Sequence, residues 1–415
     1  MTNAVAEGTA VEEQAQHGFK AHSDGGWDAE AAARNVPVQT RSARFTSTDV
    51  ADFGAVTGRE ANWKFTPIVK IDALLNGELD GSRTPVSVTE AEGVSSEWID
   101  REDERVGRAG APEERGAAAA WSAFDEAHLV TVSSEEGVTA IVERAALGSS
   151  PRAAHTVIEA KPHARGLVIL ENTGEAQLSE NVEIVVGDGA ELTVVSVQQW
   201  ADDAVHLASH YATVGRDATL KHIVVSLGGE LVRLNPSIHL DHEGANGEAL
   251  GAYFADAGQH LEHQVYLDHD APHTRSRVTY KGALQGEGAH TVWIGDVLIR
   301  NSATGTDSYE QNRNLVLSEG TRADSIPNLE IETGDIEGAG HASATGRFDD
   351  EHIFYLQSRG ISEEEARKLV VHGFLLEVIQ QIGDAETEAR LRDAVEAELA
   401  EAVSADKPTT EAVSA

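Results

Sequence analysis

Histidine is the reactive residue type that this chain concentrates: ten of its 18 histidines fall between residues 206 and 290. They include His239-Leu240-Asp241-His242 and His260-Leu261-Glu262-His263. Imidazoles beside carboxylates are the donor set for iron, zinc or nickel, provided that several converge on one point. A spacing of three works against convergence on a strand, because those two side chains point to opposite faces. The histidines therefore read first as strand-edge and turn residues, and a metal-binding protein is a lesser reading. Carboxylates form a second group, at Glu330, Glu332, Asp335 and Glu337 and again at Asp349-Asp350-Glu351. Paired carboxylates cleave glycosidic bonds, but with 70 acidic residues in the chain a solvated face is the simpler reading.

Other chemistries are missing. There is no cysteine, which removes disulfides, thiolate catalysis and a self-sufficient thiolate-ligated iron–sulfur site. The dipeptide Gly-Lys does not occur, so there is no phosphate-binding P-loop, and His-Glu-x-x-His and Gly-x-Ser-x-Gly are absent too. A net charge of −38 repels phosphate backbones and anionic lipid, which argues against nucleic-acid and membrane-surface partners. Residues 1–16 are acidic and lack the apolar stretch of a signal peptide. No run approaches the roughly 18 apolar residues of a membrane span. The expected location is cytoplasmic.

The elements that must position any site come in three styles. Residues 1–40 are polar and aperiodic and read as a disordered tail, followed by a mixed or helical region over 41–125. Within that region Asn62 to Val69 is expected to anchor Trp63, and Ile99 to Ala120 reads mainly as a connector with a helix at its end. From 126 to 350 short Val/Ile/Leu/Thr segments recur, such as Val182-Glu183-Ile184-Val185-Val186 and Leu220-Lys221-His222-Ile223-Val224-Val225. Gly-rich clusters precede many of them, ending at residues 190, 218, 247, 289 and 321. Those intervals are too irregular for a strict repeat but suit stacked coils that tolerate insertions. The expected fold is mainly β, a central parallel β-helix (solenoid), with a β-sandwich second. Over 351–405 the pattern turns helical. Ser362 with Glu365 forms a capping box, and Ala366, Leu369, Val370, Phe374, Val378 and Ile382 follow helical steps. A second helix begins near Asp384, and residues 406–415 read as a second disordered tail. Two helices with apolar stripes at this end either pack on their own domain or dock a partner. Since a β-helix closes its own core, they are expected to be free to present a face to a partner.

Ordered motifs near the end of the chain carry a resemblance. Asn314-Leu315-Val316-Leu317-Ser318 is followed by Ile326-Pro327-Asn328-Leu329-Glu330-Ile331 and then by Gly340-His341-Ala342-Ser343-Ala344-Thr345-Gly346-Arg347. Ile353-Phe354-Tyr355-Leu356-Gln357-Ser358-Arg359-Gly360-Ile361 completes the series. Together they resemble the SufB/SufD family of iron–sulfur cluster assembly proteins. Asn312 and Ala342 stand where SufB chains carry a functional cysteine and glutamate, so the resemblance is to the SufD branch. The family's Cys-Ser before the histidine is replaced here by Ala339-Gly340.

The resemblance implies a non-catalytic scaffold subunit. Its partners would be SufB and two copies of the ATPase SufC, with a SufD homodimer as a further assembly. SufC would dock on the C-terminal helices, and Phe354, Tyr355, Arg359, Leu369, Val370 and Phe374 are the candidate partner-binding residues. SufB would pair edge to edge with strands between about 301 and 336. The cofactor implied is a transient iron–sulfur cluster at the SufB interface, with reduced FAD as a further participant that no residue here places. His341 is the candidate cluster ligand, with Glu332, Asp335 and Glu337 expected to hold its second nitrogen. The alternative to all this is a β-helix carbohydrate-active enzyme using the acidic cluster near Glu330.

Overall fold

The computed structural model describes residues 44–145, 147–347 and 350–405; the two expected tails, 1–40 and 406–415, lie outside them. Eighteen strands build two sheets. The first holds β1 (Ser87–Val88), β4 (Thr139–Ala145), β6 (Arg165–Gly174), β8 (Glu191–Trp200), β10 (Thr219–Ser226), β12 (Asn246–Ala255), β14 (Arg275–Leu284), β16 (Thr306–Val316) and β18 (Ile336–Gly346), in that spatial order. The second runs from β2 (Val94–Asp100) through β3 (Glu126–Val132), β5 (Gly148–Ala160), β7 (Ala176–Val186) and β9 (Val205–Val214). It continues through β11 (Leu231–Leu240), β13 (His260–His269), β15 (His290–Ile299) and β17 (Arg322–Ile331). From β3 onward the chain alternates between the sheets, and the strands β3 to β18 pair with one another in parallel. This is a parallel β-helix rather than a sandwich.

The core fills the space between the sheets with residues such as Ile158, Val182, Val194, Leu220, Leu261 and Val297. Each such side chain contributes about 1.5–3 kcal/mol by leaving water. Two close approaches tighten it. Tyr280 lies over Gly251 on the neighbouring strand, and Tyr253 lies over Gly282 in the same way; a Cβ at Gly282 would stand 1.9 Å from the Tyr253 ring. Only glycine leaves room for those rings.

The two ends of the solenoid differ. At the N-terminal end β2 pairs antiparallel with β3, and β1 with β4, so each sheet finishes there in a reversed strand. At the C-terminal end the sheets stop at β17 and β18, whose outer edges pair with no strand among the described residues.

The flanking helices cover the outsides of the sheets. Helix α1 (Ile68–Asn76) buries Ile71, Leu74 and Leu75 with Trp63 against Val205, Leu207 and Leu231. Trp63 is anchored as expected, under the Arg233 guanidinium 3.8 Å from its ring centroid. The stretch read mainly as a connector ends in helix α2 (Arg115–Ala123), where Ala117, Ala118 and Ala120 are buried. Its Ala run lets the helix lie close to the sheet, which is why low hydrophobicity there does not mean a loose link.

Three helices follow the solenoid: α3 (Asp350–Gln357), α4 (Glu363–Ile379) and α5 (Ala385–Ala405). The Ser362 hydroxyl accepts from the Glu365 amide at 3.2 Å, one half of the expected capping box. Contrary to expectation, α4 and α5 are not free. Val371, Leu375, Val378 and Ile379 of α4 pack with Leu391, Val395 and Leu399 of α5 onto Ile169, Val195, Ile223 and Phe254 of the first sheet. A β-helix closes its interior, but this sheet is apolar on its outer face as well, and the helices cover that face.

Candidate functional site

His341 lies in β18, the last strand of the first sheet, and is exposed. Its register partner is Glu310 of β16, and the pairs Asn312/Ser343 and Asn314/Thr345 follow on the same face. Glu310, Asn312 and Asn314 are buried, so this face looks into the solenoid. Asn314 donates from Nδ2 to Ser325 Oγ (2.9 Å) and Thr345 Oγ1 (3.4 Å), while Asn312 donates to Tyr253 Oη (2.9 Å). His341 thus stands at the mouth of the solenoid, above a polar interior, with no rung over it.

Neither imidazole nitrogen of His341 makes a hydrogen bond or ion pair to a described residue. The expected carboxylate support is not there. Glu337 is four residues along the same extended strand, roughly 13 Å away by strand geometry. Glu332 instead accepts from the Asn301 amide (3.2 Å) across a turn, and the Asp335 carbonyl accepts from the Gly305 amide (2.8 Å). Of these acidic residues, Glu332 uses its carboxylate and Asp335 its backbone carbonyl to tie the turn between β17 and β18 to the turn before it.

Beneath His341 lies a group that sequence reasoning missed. Glu310 is fully buried, and among the described residues neither of its oxygens has a hydrogen-bond partner at normal geometry, the Asn328 amide acting on it only weakly. It crosses the interior to Gly295, where a Cβ would stand 2.4 Å from its Oε2. Burial, and then the negative charge of Asp296, push its carboxyl up to about 8 against the weaker pull of the Asn328 amide. The carboxyl is therefore mostly protonated at neutral pH. Its signal in the sequence was its place on an alternating strand between Ser308 and Asn312.

Among the described residues no group of three or more His, Asp or Glu side chains is arranged to hold a metal ion. A metal bound at His341 would need further ligands from another chain or from solvent. The histidine pairs behave as the spacing argument requires. His260 faces outward to Glu262 (2.9 Å), whereas His263 faces inward to Ser226 (3.1 Å).

The candidate partner residues divide in two. Phe354 and Tyr355 of α3 are 70% and 54% exposed, Leu369 of α4 is 47% exposed, and the Arg359 guanidinium stacks 4.6 Å from the Tyr355 ring centroid. Val370 and Phe374 are half-buried, Phe374 beside the sheet with the Lys281 ammonium 4.9 Å from its ring centroid. The first set exposes apolar side chains to solvent, while Phe374 contributes to the fold.

Fold and site together define a class: a parallel β-helix with helical flanks, finished by reversed strands at one end and by parallel strands at the other, where an exposed histidine stands. Residues 144–374 match the family model described as the SUF system FeS cluster assembly, SufBD core domain. The chain belongs to the SufBD family. It is 47% identical over 376 residues to the iron–sulfur cluster assembly SufBD family proteins of Mycobacterium bovis and Mycobacterium tuberculosis, covering 88% of this chain and 94% of theirs. It is 46% identical over 365 residues to one such protein of Mycobacterium leprae, covering 86% of this chain and 93% of that one. A second SufBD family protein of Mycobacterium leprae is 29% identical over 201 residues, 48% of this chain and 23% of that protein. No helix among the described residues is long and apolar enough to cross a membrane.

Proposed function

We propose that this chain is the SufD-type subunit of an iron–sulfur cluster assembly complex. Its partners in that reading are a SufB-type family member and two copies of a SufC-type ATPase. The observation that carries it is His341, a solvent-reachable imidazole on a terminal strand that no described residue of its own chain holds. A neutral imidazole suits iron, and since no described residue is placed to join it, the remaining ligands in this reading come from a partner. The nascent cluster is cargo, built from iron and sulfur at the interface, and reduced FAD enters as a soluble co-reactant. Nucleotide hydrolysis belongs to the ATPase, since this chain has no P-loop.

The comparisons support a paired assembly. Two SufBD family proteins of Mycobacterium leprae match this chain, one over nearly its full length and one over a limited part. A chain matching the first kind would have the second kind's counterpart as its natural partner, and a homodimer is the competing assembly.

Co-expression with the SufB-type and SufC-type proteins of the same organism, followed by intact mass measurement, tests the assembly. Within that complex, His341→Ala should leave the subunits associated and cut cluster formation from ferrous iron and a sulfide source at least tenfold. His242→Ala, at an exposed turn, should change nothing. Normal assembly by the His341→Ala complex would overturn the ligand role.

A further inference from the structure

On the outer face of the second sheet, two histidines one solenoid turn apart come together. His260 of β13 and His290 of β15 are register partners, and their Nδ1 atoms lie 3.1 Å apart. The other nitrogen of each ring is already committed. His260 Nε2 lies 2.9 Å from Glu262 Oε2, and His290 Nε2 lies 2.8 Å from Asp324 Oδ2. Both carboxylates also pair with guanidinium groups, Glu262 with Arg233 (3.1 Å) and Asp324 with Arg322 (2.6 Å), so they are ionised and accept only.

Those contacts fix the tautomers. Each imidazole donates its Nε2–H to a carboxylate, which leaves Nδ1 with a bare lone pair. Two lone pairs then face each other at hydrogen-bond distance, an arrangement that needs a positive charge between them. Either an extra proton or a metal cation can supply it. A metal at the usual 2.0–2.1 Å from each nitrogen would see them at roughly 95–100°, an angle that tetrahedral and octahedral sites both accept. A carboxylate on the remote nitrogen of each ring is the support that metal-binding histidines characteristically have.

Access and charge agree. The His260 side chain is 4% exposed and that of His290 19%, so the pair is walled on one side and reachable from the other. Arg233 and Arg322 are each matched by a carboxylate, so neither guanidinium leaves an unbalanced positive charge beside the rings.

We propose that His260 and His290 form a two-histidine chelate for a borderline divalent cation such as Fe2+ or Zn2+, stapling consecutive turns of the solenoid. Water or a partner group completes the coordination. This site is separate from His341, which lies in the other sheet, and does not depend on the reading of that residue.

Full-length chain stripped with a chelator and titrated with Co2+ tests it, through the visible d–d bands and by calorimetry. The expected result is a single tight equivalent in the parent chain and in His341→Ala. His290→Gln should weaken it about 100-fold and Asp324→Asn about 10–100-fold, the range for supporting carboxylates. Circular dichroism checks that each variant is folded, and should His290→Gln not fold, Asp324→Asn decides. If the parent chain binds no Co2+, or the folded variants titrate like it, the proposal is overturned and the pair shares a proton instead.

Discussion

Glu310 shows what a single buried group can impose on the whole protein. Its carboxyl is fully buried without a hydrogen-bond partner at normal geometry among the described residues and titrates at about 8, above the 4.5 of a free glutamate. A raised folded-state value means that the folded protein holds a proton which the unfolded chain releases near pH 4.5. Stability is therefore intact below that pH and declines as pH rises from about 4.5 to about 8. The full shift corresponds to about 5 kcal/mol at 1.36 kcal/mol per unit, an upper bound because water entry relieves part of it. Glu310→Gln should therefore stabilise the protein by about 2 kcal/mol at pH 8, with the gap closing towards pH 5. Urea unfolding of both proteins across that range checks it; a pH-independent difference would show that Glu310 is ionised or solvated. This residue was legible only as a polar residue on an alternating strand, because its environment depends on Gly295, a turn away in the chain. The His260–His290 pair was hidden for the same reason. A search along the sequence finds His260 with His263, which point to opposite sides, while the true neighbours are 30 residues apart.

At the scale of elements, the strands were legible because each is a run of β-branched and aliphatic residues closed by a turn. The spacing was harder to read. Register partners are separated by 27 residues at Thr219/Asn246, 29 at Asn246/Arg275 and 32 at His290/Arg322, so the rungs lengthen along the solenoid. The turn before β14 carries no glycine; His273 takes the positive φ there, at 57°. The glycine signal therefore jumps from the turn before β12 to the turn before β15, in the other sheet, which produced the irregular interval. Sequence also misjudged the C-terminal helices, since alternation is masked where a strand is buried on both faces. Truncation at Ser362 would expose Ile169, Val195, Ile223 and Phe254, so that deletion tests solubility rather than docking. Point changes are cleaner. Phe354→Ala and Leu369→Asp remove exposed apolar surface and should weaken binding of a SufC-type ATPase by tenfold or more, as loss of an interface anchor does, at little cost in folding stability. Phe374→Ala should instead lower the unfolding free energy by about 1–3 kcal/mol. Calorimetric titration and thermal melts separate these outcomes, and unchanged affinity in the first two variants would remove α3 and α4 from the interface.

At the scale of the molecule, the difference between the two ends decides how it can assemble. A parallel sheet cannot end without a row of unpaired amides and carbonyls unless something caps it. At the N-terminal end each sheet finishes in a reversed strand, the two-residue β1 and the strand β2, so among the described residues the edges left by parallel strands are those of β17 and β18. The interval expected to meet a SufB-type partner, about 301–336, includes β16, which is already paired on both sides, and omits β18, which carries His341. The docking region should therefore be β17 and β18 together. Ile331, 43% exposed at the end of β17, adds apolar surface to that edge. Self-pairing through this end would bring together two chains of net charge −38, so a partner that is less acidic has the advantage, and the preference should narrow as salt rises. Hydrogen exchange of this chain with and without the SufB-type partner is the measurement. Amides within 322–331 and 336–346 should gain protection, while those of β2 and β3 at the N-terminal end stay unchanged. Protection confined to the N-terminal end would mean that the C-terminal edge is not the interface, and His341 would then stand far from any second chain able to complete its coordination.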